Sequence, residues 1–201
     1  MKNQDKSFPE HHWNNNGRAT LIAIGGLSGS GKSTLARGIA KQILNPNTSD
    51  HIILLSNDDI RKELWGVSKT TRLPSEAYTW EATTKVIKAS HQRAGLALKA
   101  NKIVILDSIF NSDTSRTDQE KLAKKHNAAF FGFFLNCDTD VLLERVKKRV
   151  LENKDASDAG PDIVMKQLEG HSNDTCWHKI ASNRAIDDIL FDVLDILKKP
   201  S

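Results

Sequence analysis

Residues 20–35, TLIAIGGLSGSGKSTL, constrain this chain more than any other stretch. Within them Gly26-Leu27-Ser28-Gly29-Ser30-Gly31-Lys32-Ser33 fits G-x-x-x-x-G-K-[ST] without a mismatch. The surroundings sharpen the match: the apolar run 21–24 predicts a buried strand, and 34–44 reads as a helix. Strand, glycine loop and helix in that order are what a phosphate cradle needs. Glycines allow positive φ and let backbone N–H groups close on an anion. The helix adds unpaired N–H groups and the positive end of its dipole. The expected nucleoside-triphosphate contacts are therefore Gly26, Ser28, Gly29, Ser30, Gly31, Lys32, Ser33 and Thr34. In this motif the lysine, Lys32, reaches the β- and γ-phosphates, and the hydroxyl of Ser33 ligates Mg²⁺. The competing reading is a glycine-rich turn that binds nothing, and the strand–loop–helix context argues against it.

The rest of the chain alternates in the same way. Strands are expected at 51–56, 102–106 and 129–135. Helices are expected at 60–65, from a Ser75 cap to about 99, at 113–126, from Asp138 or Thr139 to about 151, and at 161–169. A last helix places Ile186, Ile189, Leu190, Val193, Leu194 and Leu197 on one face and carries no chemistry. Alternating strands and helices predict an α/β fold with a parallel sheet covered on both faces. Its 201 residues suit one such domain with a small mobile subdomain. Residues 1–18 are polar and aperiodic, and are expected to form a flexible extension ahead of the domain at 19–201. His11 and His12 lie there without a third ligand nearby, which argues for a solvated tail rather than a metal site.

Charge and cysteines bound the function class. A net charge of +4, from 29 basic and 25 acidic residues, is compatible with an anionic substrate but does not demand nucleic acid. Cys137 and Cys176 are far apart and lack C-x-x-C spacing, so neither a disulfide nor a cysteine metal site is expected. No apolar run is long enough to span a membrane, and the N-terminus lacks a signal pattern; a cytoplasmic address is the expectation.

A parallel sheet gathers its functional groups at the carboxyl ends of its strands. Three such ends carry chemistry here: the glycine loop, Asp58 with Arg61 just past the second strand, and Asp107 closing the third. Phosphoryl transfer needs a carboxylate to take the proton of an acceptor hydroxyl and positive charge on the transferring group. Asp58 is the candidate base, with helix capping as its alternative role; Asp59 is read as a cap. Asp107 has the placement of a second acid, which would hold Mg²⁺ through water or orient Arg61; a strand-ending turn is its other reading. Arg145 and Arg149, at i and i+4, project from one helix face while Lys147 and Lys148 point elsewhere. The arginines are expected to open a lid, roughly 145–165, that neutralises charge on the γ-phosphoryl group. The alternative is a solvated basic face.

Gly26–Ser33, the run SNDDIRKEL at 56–64, Ile105-Leu106-Asp107 and the run DASDA at 155–159 together resemble the small P-loop (Walker A) kinases related to polynucleotide kinase, chloramphenicol phosphotransferase and zeta toxin. They are closest to bacterial predicted kinases of the AAA-type ATP-binding class, some of which are fused to aminoglycoside-phosphotransferase-like domains. The resemblance implies a P-loop NTPase three-layer sandwich with a mostly parallel five-stranded sheet and a small mobile lid. It also implies Asp58 as general base, Arg61 as a phosphoacceptor contact, Asp107 as support for that arginine, and Arg145 and Arg149 as lid arginines. Asn136-Cys137-Asp138-Thr139 is not the N-K-x-D that reads guanine, so ATP is the expected nucleotide.

The leading expectation is an ATP- and Mg²⁺-dependent phosphotransferase acting on a small-molecule hydroxyl. A polynucleotide 5′-hydroxyl kinase would need a basic groove, for which Lys62, Lys69, Arg72, Tyr78 and Trp80 are candidates. A zeta-toxin-like nucleotide-sugar kinase is a third reading, and an ATP-binding switch a fourth, in which Asp58 and Arg61 do nothing. Asn111 and Arg116 line the acceptor site or a solvent-facing loop. Cys176-Trp177-His178 reads as packing.

Overall fold

The computed structural model describes residues 17–44, 51–152, 156–170 and 175–198. The expectation for 1–16, including the histidine pair, lies outside these, as does Asp155. The central strand, β1 (Thr20–Gly26), is buried along its whole length. Strands so enclosed read as continuous apolar runs, because both faces of a parallel sheet are covered. Around it lie β3 (Ile103–Asp107) on one side and β4 (Ala129–Asn136) on the other, with β2 (Ile52–Ser56) and β5 (His178–Ala181) at the edges. The order is β2-β3-β1-β4-β5, and every pairing is parallel.

Alternation along β1 divides the core. Ile22 and Ile24 face α1 (Lys32–Ile43) and α7 (Ile186–Leu197), packing with Leu35, Ile39, Val193 and Leu194. Leu21 and Ala23 face the layer of α3 (Trp80–Lys99) and α4 (Asp113–Lys125), with Val86, Leu98 and Leu122. The result is the expected three-layer α/β sandwich, with five strands. A small third cluster, Leu27, Leu142, Val146 and Val164, fastens α5 (Thr139–Glu152) and α6 (Pro161–Glu169) to the glycine loop.

Two local expectations are corrected. The helix capped by Ser75 is two elements: a 3₁₀ turn at Ser75–Tyr78, then α3 capped by Thr79, whose Oγ1 accepts from the Ala82 amide at 3.3 Å. The Ala77 carbonyl accepts from Arg61 Nη1 at 2.5 Å instead of serving a continuous helix. The second helix, α2 (Asn57–Leu64), follows β2 without a loop, so Asp58 and Asp59 lie in its first turn, where acids suit the dipole.

The fifth strand has no clear sequence pattern: in its four residues only Ile180 is buried. It follows Trp177, which packs as expected, its ring centroid 5.4 Å from Phe110 and 5.7 Å from Phe130. Trp177 Nε1 donates to Glu120 Oε1 at 3.0 Å. Gly132 makes room for it, since a Cβ there would lie 2.5 Å from the indole. Both cysteines are free. Among the described residues no helix is long and apolar enough to cross a membrane.

Candidate active site

Sheet register assembles the site. Ile24 of β1 stands beside Asp107 of β3, which stands beside Ser56 of β2. The glycine loop, Asp107 and the start of α2 therefore meet at one edge of the sheet, the convergence expected if these strands were neighbours. In the loop Gly26, Gly29 and Gly31 have φ of 137, 87 and 96°. A Cβ on Gly26 would lie 2.7 Å from the Leu135 carbonyl, and one on Gly29 2.9 Å from that of Leu142, so larger residues would force the loop off its neighbours. Gly31 caps α1 with no side-chain bond, leaving the helix's first N–H groups to an anion. Ser30 Oγ is buried without a hydrogen-bond partner. Lys32 Nζ donates to the Leu27 carbonyl at 3.0 Å, folded along its own loop, and Thr34 is exposed at the start of α1.

Ser33 Oγ donates to Asp107 Oδ2 at 2.5 Å. An adjacent hydroxyl and carboxylate, oxygen donors both, suit a hard cation such as Mg²⁺. Arg61 is braced by other groups: Ala77, the Thr83 hydroxyl at 3.4 Å, and the Tyr78 ring, 4.8 Å below its guanidinium. Its Nε has no partner.

Asp58 is half-buried in the crevice between these groups. Burial raises its pKa above the ordinary carboxylate value, against the opposing pull of Lys32, a hydrogen bond from Ser157, Arg61 and Arg149. Lys32, Arg61 and Arg149 thus share with the Asp58 carboxylate a space beside the glycine loop.

Arg145 and Arg149 are half-buried while Lys147 and Lys148 are exposed, as the helical spacing predicts. Both arginines line a cavity of about 290 Å³ whose opposite wall is the glycine loop. Arg145 Nη1 lies 3.7 Å from Cys137 Sγ, and Arg149 Nη2 donates to the Ala159 carbonyl at 2.9 Å. Ser182, Arg184 and Ile186, from the β5–α7 connection, complete that cavity. Sequence reasoning missed them because it did not place β5.

A second cavity, about 960 Å³, runs from Lys32 and Ser33 past Asp58 and Arg61 to a wall formed by α3 and α4. The segment 156–160 closes over it. Asp158 accepts from Lys62 Nζ at 2.6 Å, from the Tyr78 hydroxyl at 2.6 Å and from the Leu73 amide at 2.9 Å. Burial alone would raise the Asp158 carboxyl, but these bonds outweigh it and hold its pKa below the usual range. Burial, then the neighbouring Asp158, pushes the Tyr78 phenol upward. Behind this segment, Gln167 of α6 grips the glycine loop, accepting from the Ser28 amide at 2.9 Å and donating to Ser28 Oγ at 3.1 Å. Gln167 carries no sequence signal of its own.

Two sequence expectations change here, at Lys62 and Arg116. Lys62 is only 1% exposed and also bonds the Thr71 carbonyl, so it lines no groove. Lys69 pairs with Asp59 at 2.8 Å. Arg116 is buried, bonded to the Phe110 carbonyl at 3.0 Å and to Asp113, with its guanidinium over Phe134; its role is structural. Asn111 does line the larger cavity, and it ties the β3–α4 loop to Gln167 and Gly170 of the α6 end.

The sequence profile of the family described as AAA domain matches residues 21–173. The chain is 29% identical over 163 residues to uncharacterized proteins of Mycobacterium bovis (Mb2027c) and Mycobacterium tuberculosis (Rv2004c). Those matches take in 77% of this chain and 31% of the relatives, so the chain spans about a third of their length. Among solved structures, the APS kinase CysC of Mycobacterium tuberculosis, in complex with AMPPNP and APS, is similar at a TM-score of 0.68 and 19% identity, over 90% of this chain and 99% of that one. A gluconokinase from Sinorhizobium meliloti gives 0.59 at 19% identity, over 89% and 91%. Kti12 of Chaetomium thermophilum, in complex with ADP-AlF3, gives 0.60 at 18% identity, over 88% and 98%. At these identities the likeness is one of fold: that of small P-loop kinases.

Proposed function

This chain belongs to the AAA domain family, and from that footing we propose that it is an ATP-dependent phosphotransferase acting on a hydroxyl of a small molecule. The observation that supports this reading best is Asp58, a carboxylate of raised pKa set among Lys32, Arg61 and Arg149 in the cavity that adjoins the glycine loop. The glycine loop and the first turn of α1 cradle the phosphates, and Lys32, Arg145 and Arg149 neutralise the transferring group. Ser33 and Asp107 would hold Mg²⁺, which would supply charge neutralisation at the phosphates.

The acceptor lies in the larger cavity, its hydroxyl toward Asp58, with Arg61 on the acceptor side. As the acceptor oxygen bonds to the γ-phosphorus, its proton passes to Asp58; the bond from γ-phosphorus to the bridging oxygen breaks and ADP leaves with that electron pair. A raised pKa makes Asp58 a stronger base than an ordinary carboxylate once ionised. The segment 156–160, docked by Asp158, and the arginines of α5 form a lid over both cavities. A nucleotide-gated switch would leave the acceptor cavity and the Asp58–Arg61 pair without work.

The test separates binding from transfer. Asp58→Asn should bind a non-hydrolysable ATP analogue as the parent does yet label acceptors at least about 10²-fold more slowly, whereas Lys32→Ala should weaken both binding and transfer. Equal transfer by the parent and Asp58→Asn would remove Asp58 as the base.

A further inference from the structure

The far end of the larger cavity, away from the glycine loop, is chemically distinct from the end that holds Asp58. Its wall is Ser90 and His91 of α3 facing Ser115, Asp118 and Gln119 of α4. Ser90 and Gln119 are 1% and 3% exposed, and neither Ser90 Oγ nor Gln119 Oε1 has a hydrogen-bond partner. Two orphaned oxygens in one wall are costly, and native structures keep such groups where a ligand or water satisfies them.

The amide orientation is set by its neighbours. Gln119 Nε2 faces the Ser115 carbonyl at 2.9 Å, an acceptor only, so the nitrogen is the atom on that side. The same nitrogen lies 3.1 Å from His91 Nε2, which must then accept, leaving His91 neutral with its proton on Nδ1. Burial lowers the His91 pKa in the same sense, against opposing contributions from Gln119 and Asp118. The wall therefore offers acceptor oxygens, a neutral imidazole and one carboxylate, Asp118.

Cations lie elsewhere in this cavity: Lys32, Arg61 and Arg149 line its other end, and Arg72 is exposed. A phosphate or sulfate on the acceptor would meet Asp118 and lone pairs at the α3–α4 wall; Lys121, 3.7 Å from Asp118, is not among the described residues that line the cavity. Hydroxyl groups, which donate as well as accept, satisfy both orphaned oxygens. The same cavity is lined by Trp80, 77% exposed, and Ile87, an apolar surface suited to the C–H face of a ring.

Resting on the phosphotransferase reading above, we propose that the acceptor is an uncharged polyhydroxylated small molecule, a sugar or cyclic polyol, whose hydroxyls remote from the reacting one are read by Ser90 and Gln119. Its identity within that class is set by which hydroxyls reach these two oxygens while another lies at Asp58.

The experiment offers the intact chain, with Mg²⁺ and γ-labelled ATP, D-glucose, D-ribose, myo-inositol and adenosine, each beside its monophosphate, together with a 5′-hydroxyl oligonucleotide. Binding of the same compounds to Asp58→Asn, loaded with a non-hydrolysable ATP analogue, is followed by calorimetry. At least one uncharged compound should be labelled and bound at least tenfold better than its monophosphate. Ser90→Ala should then raise the KM for that compound about 3- to 10-fold, the size of one neutral hydrogen bond, while raising rather than lowering the thermal midpoint, because it deletes an unpaired buried hydroxyl. A purely structural Ser90 would not give that pair of opposite effects. Preference for the monophosphates or the oligonucleotide would overturn this proposal and leave the phosphotransferase standing. Absence of Asp58-dependent labelling of every compound would overturn both.

Discussion

Asp58 is placed where burial opposes its charge and Lys32, Ser157, Arg61 and Arg149 favour it, and burial prevails. Its folded pKa lies above its unfolded one, so between the two the folded state holds the extra proton and stability falls as pH rises through that window. Above that window the buried charge is a standing destabilisation. Asp58→Asn should therefore melt no lower than the parent at pH 7, while losing about 10²–10⁴ in transfer rate, the usual range for a general base. Calorimetric melts beside labelled-ATP assays check both halves, and a lower midpoint would contradict the first. The acid limb of kcat/KM should centre above the ordinary aspartate value of about 3.9. Lys32→Met should cost about 10²–10³ in kcat, the range for one electrostatic donor in the transition state.

Among the elements, the segment 156–160 depends on one ion pair. Lys62 and Asp158 have side chains only 2% and 12% exposed. Asp158→Ala would leave Lys62 buried with the Thr71 carbonyl but no counter-charge, and should destabilise by about 3 kcal/mol. At about 2–4 °C per kcal/mol for a chain of this size, thermal melts should fall by about 6–12 °C. Lys62→Met should cost less, since Tyr78 and the Leu73 amide remain on Asp158. The folded pKa of Asp158 is depressed, so its contribution is full above the ordinary carboxylate value and is lost as pH falls through the lowered one. In β4, on the other side of β1, Gly132→Ala would drive a Cβ into Trp177 and should cost about 1–3 kcal/mol, measured by denaturant unfolding.

For the whole molecule, what was legible in the sequence was local. The glycine loop, the buried strands and the amphipathic α7 each announce themselves within about a dozen residues, through motif or period. The convergence of Ser33, Asp58 and Asp107 followed from one topological rule about strand ends. What was hidden depends on partners far apart in the chain. Lys62 reads as an exposed cation until Asp158, 96 residues on, is seen to bury it. Gln167 is an ordinary helix residue until it meets Ser28, 139 positions earlier. Strand β5 escapes notice because its burial comes from β4 and α7 rather than from a pattern of its own. The Ser75–Thr79 break is likewise made by Arg61, which takes the carbonyl a continuous helix would need.

The most direct test of phosphotransfer is how label from γ-³²P-ATP divides between acceptor and inorganic phosphate. It should be measured on one enzyme preparation across the sugars, polyols, nucleosides and oligonucleotides above, for the parent and for Asp58→Asn. Label should reach an acceptor in the parent and drop by about 10²-fold or more in the variant, with nucleotide affinity unchanged. Label appearing only as inorganic phosphate, at the same rate in both proteins, would contradict the account.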